Sequence, residues 1–126
     1  MNQTYDRIAL IGLGLIASSI FWAVKRAGLN SHVTGYARST ETRETARRIG
    51  LCDSVYETAA EAVQGADLVI LCVPVGVMGA VAADLAPALK SGATISDVGS
   101  VKRAVIDVVA PCLPDHVNFV PAHPLA

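Results

Sequence analysis

The sequence lacks any apolar run of membrane-spanning length that is free of Gly, Pro or charge, which argues against a transmembrane helix. No leader is expected. Met1-Asn2-Gln3-Thr4-Tyr5-Asp6 shows no basic region followed by an apolar one, and strand-like residues begin almost at once. No basic stripe is present: Lys and Arg are scattered and the formal net charge is −1, so nothing points to a nucleic-acid partner. Cysteine is scarce. Cys52, Cys72 and Cys112 are odd in number and have no metal-ligand spacing, so no metal site is expected and a reducing compartment suits them. Charged residues make up only 17% of the 126 residues against 52% apolar, which argues against disorder. One domain with a sheet buried on both faces fits that balance. The expectation is a soluble cytoplasmic protein with no membrane partner.

The most informative stretch present is Ile8-Ala9-Leu10-Ile11-Gly12-Leu13-Gly14-Leu15-Ile16-Ala17. An apolar strand ends at Gly12, and a helical run follows from about Ser18. The spacing is G-x-G-x-x-A. Gly12 permits a tight turn, Gly14 lets a backbone approach phosphates, and Ala17 lets the helix lie close to the strand. The free amides of the first helical turn, around Leu15 and Ile16, would face the anion. The expected fold is therefore α/β: a Rossmann-type, doubly wound, mainly parallel sheet with helices on both faces. The competing assignment is a strand–turn–helix of a flavodoxin-like or response-regulator-like domain that binds no dinucleotide.

The rest of the chain alternates in the same way. Strands are expected at Arg7 to Ile11, Ser31 to Tyr36, near Leu51 to Tyr56, at Leu68 to Val73, at Ala93 to Val98 and at Val117 to Val120. Leu68 to Val73 reads as the last apolar strand before the chain crosses the sheet. Helices are expected over Leu15 to Ala27, with Phe21 and Trp22 as packing groups and Gly28 as its stop. Others are expected over Thr42 to Arg48, from Ala59 to Val63, over Val77 to Leu89 with an interruption at Pro87, and over Arg103 to Val109.

Ligand residues should gather at the carboxyl ends of the strands. At the end of the second strand an Asp or Glu would bind the ribose hydroxyls of NAD, but position 37 is Ala. Arg38 and Ser39 could instead meet a 2′-phosphate, which favours NADP or dual use over strict NAD; an ordinary solvated loop is the other reading. Arg43, Arg47 and Arg48 read as solvated. Val73, Pro74 and Val75 should border the ribose and nicotinamide. Cys72 reads as a buried core thiol, and His32 as a strand-edge residue. Asp97, Ser100 and Lys102 follow the fifth strand beside the cofactor loops, although Ser100 could simply cap the next helix and Lys102 could be solvated. His123 stands at the end of the last strand, on the same edge, where an imidazole could move a proton; an incidental surface histidine is the competing reading. Pro121 to Ala126 is an abrupt apolar end, so the chain reads as the first domain, residues 1–126, of a longer protein.

Four phrases together resemble the N-terminal domain of the prephenate and arogenate dehydrogenase family of tyrosine biosynthesis: Gly12-Leu13-Gly14-Leu15-Ile16, Val73-Pro74-Val75, Asp97-Val98-Gly99-Ser100-Val101-Lys102 and His123-Pro124-Leu125-Ala126. The resemblance implies NAD or NADP as cofactor and prephenate or arogenate as small-molecule substrate. It implies that His123 accepts the substrate hydroxyl proton, that Ser100 hydrogen-bonds that hydroxyl and orients the histidine, and that Lys102 and Asp97 support the loop. A following helical domain would close the substrate pocket and build a homodimer, so the fragment alone is expected to be inactive. Prephenate dehydrogenase is the main expectation. The alternatives are an arogenate or cyclohexadienyl dehydrogenase, another two-domain dehydrogenase of β-hydroxyacid or pyrroline-carboxylate reductase type, or a non-catalytic nucleotide-sensing domain.

Overall fold

The computed structural model describes residues 5–98 and 102–121, without the side chains of residues 102 and 103. Among these residues, six strands form one sheet: β1 (Arg7–Ile11), β2 (His32–Tyr36), β3 (Ser54–Val55), β4 (Leu68–Leu71), β5 (Thr94–Asp97) and β6 (Asn118–Phe119). Their order is β3-β2-β1-β4-β5-β6 and every neighbouring pair is parallel. The helices are α1 (Leu15–Arg26), α2 (Thr40–Ile49), α3 (Ala59–Val63), α4 (Val75–Leu85) and α5 (Lys102–Val109). This is the Rossmann arrangement, with the strand order reversing between β1 and β4. The crossing itself is made by α3, between β3 and β4. Leu68 to Leu71 is thus the first strand after the chain crosses the sheet, not the last before it.

Period-two alternation divides the sheet into two cores. Ile8 and Leu10 of β1 face α1 and α2, where they meet Ala17, Phe21, Val33 and Ala46. Ala9 and Ile11 face the opposite way, onto Val63, Met78, Leu85 and Val105 of α3, α4 and α5. Both faces are covered, which is why β4 reads as a continuous apolar run. On α1, Ala17, Phe21 and Val24 make the inward stripe. Trp22 does not join it. It is 42% exposed and lies edge-on to Phe21, with ring centroids 4.8 Å apart. Helix α1 stops where expected. Gly28 N–H bonds Lys25 O and Leu29 N–H bonds Val24 O, closing the last turn. Among the described residues, no helix is long and apolar enough to cross a membrane.

At the amino edge of the sheet, acidic side chains tie the strand entrances together. Asp67, just before β4, accepts hydrogen bonds from the amides of Asp6 and Arg7, each at 3.0 Å, and from the ammonium of Lys90. Asp53 likewise accepts from Val33 N–H and from Lys25, both at 2.8 Å. The Lys90 hydrogen bond holds the Asp67 carboxyl below the ordinary carboxylate range against the opposing effect of burial, with the two amides assisting.

A carboxyl whose pKa is depressed by folding stabilises the fold above its unfolded-state value and loses that contribution as pH falls through its folded-state value. Asp67→Asn should therefore destabilise the protein by about 1 kcal/mol near neutrality. Wild type and variant should converge as the medium is acidified below the ordinary carboxylate range. Denaturant melts at a series of pH values would check both the size and the convergence.

Candidate functional site

The turn after β1 is fixed by close contact. Gly12 has φ +100°, and its N–H donates to Tyr36 O at 2.7 Å. A Cβ built on it would lie 2.7 Å from the carbonyl oxygen of Cys72 and 2.8 Å from Val73 Cγ1. Glycine is therefore demanded here by backbone conformation and by the neighbouring strand. Gly14 differs. It has ordinary extended backbone at φ −106°, ψ −157°, and a Cβ on it would meet nothing within 4 Å. Among the described residues, neither packing nor strain calls for glycine at this position. The open space lies directly before α1.

Among the described residues, that helix offers unpaired donors. Its first internal bond is Ser18 N–H to Gly14 O, so the amides of Leu15, Ile16 and Ala17 have no intrahelical acceptor. Gly14 supplies no capping side chain, and the first turn contains no acidic residue. Ala17 is fully buried and lets α1 sit close to the sheet, whereas Leu15 is 85% exposed and Ile16 about half exposed. A helix mouth with free amides and a clear approach is suited to a phosphate.

Beside the turn lies a cleft of about 560 Å³ at the β1/β4 switch point. Gly12, Tyr36, Arg38, Val73, Pro74 and Val77 line it, together with Asp84. Arg38, Val73 and Pro74 were expected there. Val75, also expected to border the ligand, opens α4 and packs partly on the core. Ser39 accepts a hydrogen bond from Thr42 N–H at 3.3 Å and so caps α2, which starts at Thr40 rather than Thr42. Its hydroxyl already serves the fold. Ala37 is only 6% exposed, so Arg38 is the residue of this turn that lines the cleft.

Arg43 overturns its assignment as a solvated residue: it is 8% exposed. Its Nη1 donates to Ala37 O at 2.7 Å and to Arg38 O at 3.0 Å, and its Nη2 donates to Thr40 Oγ1 at 2.9 Å. Its Nε sits at ion-pair distance, 3.0 Å, from Glu57.

The cleft face of α4 escaped the sequence reading. Val77, Val81 and Asp84 recur at helical spacing on one side, but α4 is apolar on most faces and no stripe stands out. Cys72 is partly buried, and burial pushes its thiol up to about 12; burial, then the nearby Asp53, does the same to Cys52. Neither is a thiolate at neutral pH. His32 stands at the start of β2, with Nε2 3.0 Å from Ser54 Oγ. Asp97 ends β5 fully buried, opposite Leu71. Ser100 and His123 lie outside the described residues, as does the side chain of Lys102.

A family model described as "Prephenate dehydrogenase, nucleotide-binding domain" matches residues 20–126. That match begins beyond the glycine turn. The cyclohexadienyl dehydrogenase of Zymomonas mobilis is 48% identical over 122 residues, which are 97% of this chain and 41% of that protein. The crystal structure of Synechocystis arogenate dehydrogenase superposes with a TM-score of 0.81 at 29% identity, covering 94% of this chain and 40% of that one. The prephenate dehydrogenase from A. aeolicus, in complex with hydroxyphenyl propionate and NAD+, gives a TM-score of 0.86 at 24% identity. That match covers 99% of this chain and 43% of that one, and is a likeness of fold. This chain spans about two fifths of the length of these proteins.

The two glycines of the turn should separate folding from ligand binding. Gly12→Ala should cost roughly 2–4 kcal/mol through the forced contact and the left-handed backbone, lowering Tm by roughly 10 °C. Gly14→Ala should leave Tm within a few degrees while weakening dinucleotide binding by about tenfold or more, since its methyl group fills the approach to the helix mouth. Thermal melts and binding titrations of both variants test this.

Proposed function

This chain belongs to the prephenate dehydrogenase family, as its nucleotide-binding domain, and we infer that it is the NAD(P)-binding half of a dehydrogenase that oxidatively decarboxylates a cyclohexadienyl substrate, prephenate or arogenate. The observation that carries the cofactor reading is the open approach at Gly14, in front of the free amides of α1. The pyrophosphate would lie on those amides, and the adenosine end in the cleft beside Arg38 and Tyr36. The 48% identity to a cyclohexadienyl dehydrogenase favours the broader substrate reading over prephenate alone. A second, helical domain of a longer polypeptide would complete the substrate pocket and the dimer.

When bound, NAD(P) supplies the acceptor for the hydride that leaves the hydroxyl-bearing ring carbon. The rest of the chemistry falls to the polypeptide. In this reading an imidazole nitrogen of His123 takes the hydroxyl proton as that carbon is oxidised. The electron pair of the breaking ring–carboxylate bond then enters the ring, carbon dioxide departs, and the phenolic oxygen regains a proton. Ser100 would hydrogen-bond the same hydroxyl and orient the imidazole. Arg38 lines the cleft where a 2′-phosphate would fall, which supports NADP or dual use.

Residues 1–126 by themselves should bind a dinucleotide and turn nothing over, because no second wall excludes water from the substrate. Titration with NAD and NADP, followed by an assay for prephenate- or arogenate-dependent cofactor reduction, tests this. Absence of binding would remove the cofactor reading, and turnover by these residues alone would remove the two-domain reading. In the longer polypeptide, His123→Asn should preserve substrate and cofactor binding while lowering kcat by roughly 10²–10⁴ and removing the low-pH limb of the rate profile. Near-normal kcat with that limb intact would assign the proton transfer to another group.

A further inference from the structure

The buried guanidinium of Arg43 does more than fill space under α2. The Ala37 and Arg38 carbonyls lie just past the last paired residue of β2, where the ladder no longer supplies donors. A single nitrogen of Arg43 serves both, at 2.7 and 3.0 Å, and the second terminal nitrogen reaches Thr40. The guanidinium is itself held on two further sides, by the ion pair with Glu57 and by the ring of Tyr36, 5.9 Å from its centroid. Tyr36 also lines the cleft.

These contacts fix the backbone at Ala37 and Arg38 from inside the fold. Arg38 has no comparable anchor of its own, for its guanidinium makes no hydrogen bond or ion pair among the described residues. Its reach into the cleft is therefore set by the backbone beneath it. An arginine fork suits this task because its donors are coplanar and always charged, whereas a lysine would present one point charge to two carbonyls.

We propose that Arg43 is a positioning residue for cofactor binding: it grips the Ala37 and Arg38 carbonyls and so holds Arg38 where it can meet the adenosine end of the dinucleotide. This rests on the assignment of the cleft as the cofactor site. The coupling has a direction. Arg43 acts through Arg38, so its removal matters to the ligand only while Arg38 is present.

A double-mutant cycle tests it, with NAD and NADP titrated into residues 1–126 below the melting temperature of every variant. Arg43→Gln should weaken NADP binding about tenfold in the wild-type background and less than about twofold in Arg38→Ala. Arg43→Lys, which keeps the charge on a single donor nitrogen, should show a smaller loss with the same dependence on Arg38. It also serves if the glutamine variant fails to fold. Equal losses in both backgrounds, or no loss in either, would overturn the proposal and leave Arg43 as a fold residue alone. Failure of the unmutated protein to bind either dinucleotide would instead remove the assignment of the cleft, and the proposal with it.

Discussion

The structure depends first on the contact between Gly12 and the end of β4. At this point the chain leaves β1 in a left-handed turn, its amide held by Tyr36 O and no room left for a Cβ beside the Cys72 carbonyl. Three strands are therefore locked together where the ligand crevice opens. The start of α1, the floor of the cleft and the position of Val73 all follow from that approach. A side chain at position 12 would push β4 away from β1 and open the switch point.

The two edges of the sheet are built by different means. At the amino edge, carboxylates accept from backbone amides and lysines, so charge is neutralised within the fold. At the carboxyl edge, backbone donors are left free at the mouth of α1, and a buried arginine holds the neighbouring turn by its carbonyls. The first edge fastens strands together and the second is kept available for an anion. Parallel strands make this separation possible, because all of them enter at one side and leave at the other.

Much of this was legible from sequence because each signal was local. Helices α1 and α3 appear within a residue of where caps and apolar spacing place them, and β1 and β2 are where β-branched and aliphatic alternation puts them. The glycine turn is legible because its reasons are short-range backbone sterics. What stayed hidden was tertiary. Nothing in Thr42-Arg43-Glu44 distinguishes the buried arginine from Arg47 and Arg48; only the two carbonyls turned towards it do so. Val75 and Ser39 sit one residue from the cleft and serve the helices they begin, an outcome set by where α4 and α2 start. Trp22 follows Phe21 and so falls on the outer side of α1, since adjacent helical residues diverge by about 100°.

The glycines also differ in what would preserve them under selection. Gly35 would bring a Cβ within 2.7 Å of Cys52 Sγ, and Gly79 would bring one within 3.1 Å of the Val108 carbonyl. Gly12 is maintained by the fold itself, and Gly35 and Gly79 are favoured by the packing around them, through a side-chain sulfur and a less severe backbone contact. Any descendant that still folds must keep them or rebuild the packing around them, whatever it binds. Position 14 carries no such obligation. In a lineage that gave up its nucleotide ligand, this would be the first glycine of the turn released to drift. Its identity would then separate working relatives from retired ones when the rest of the fold looks the same.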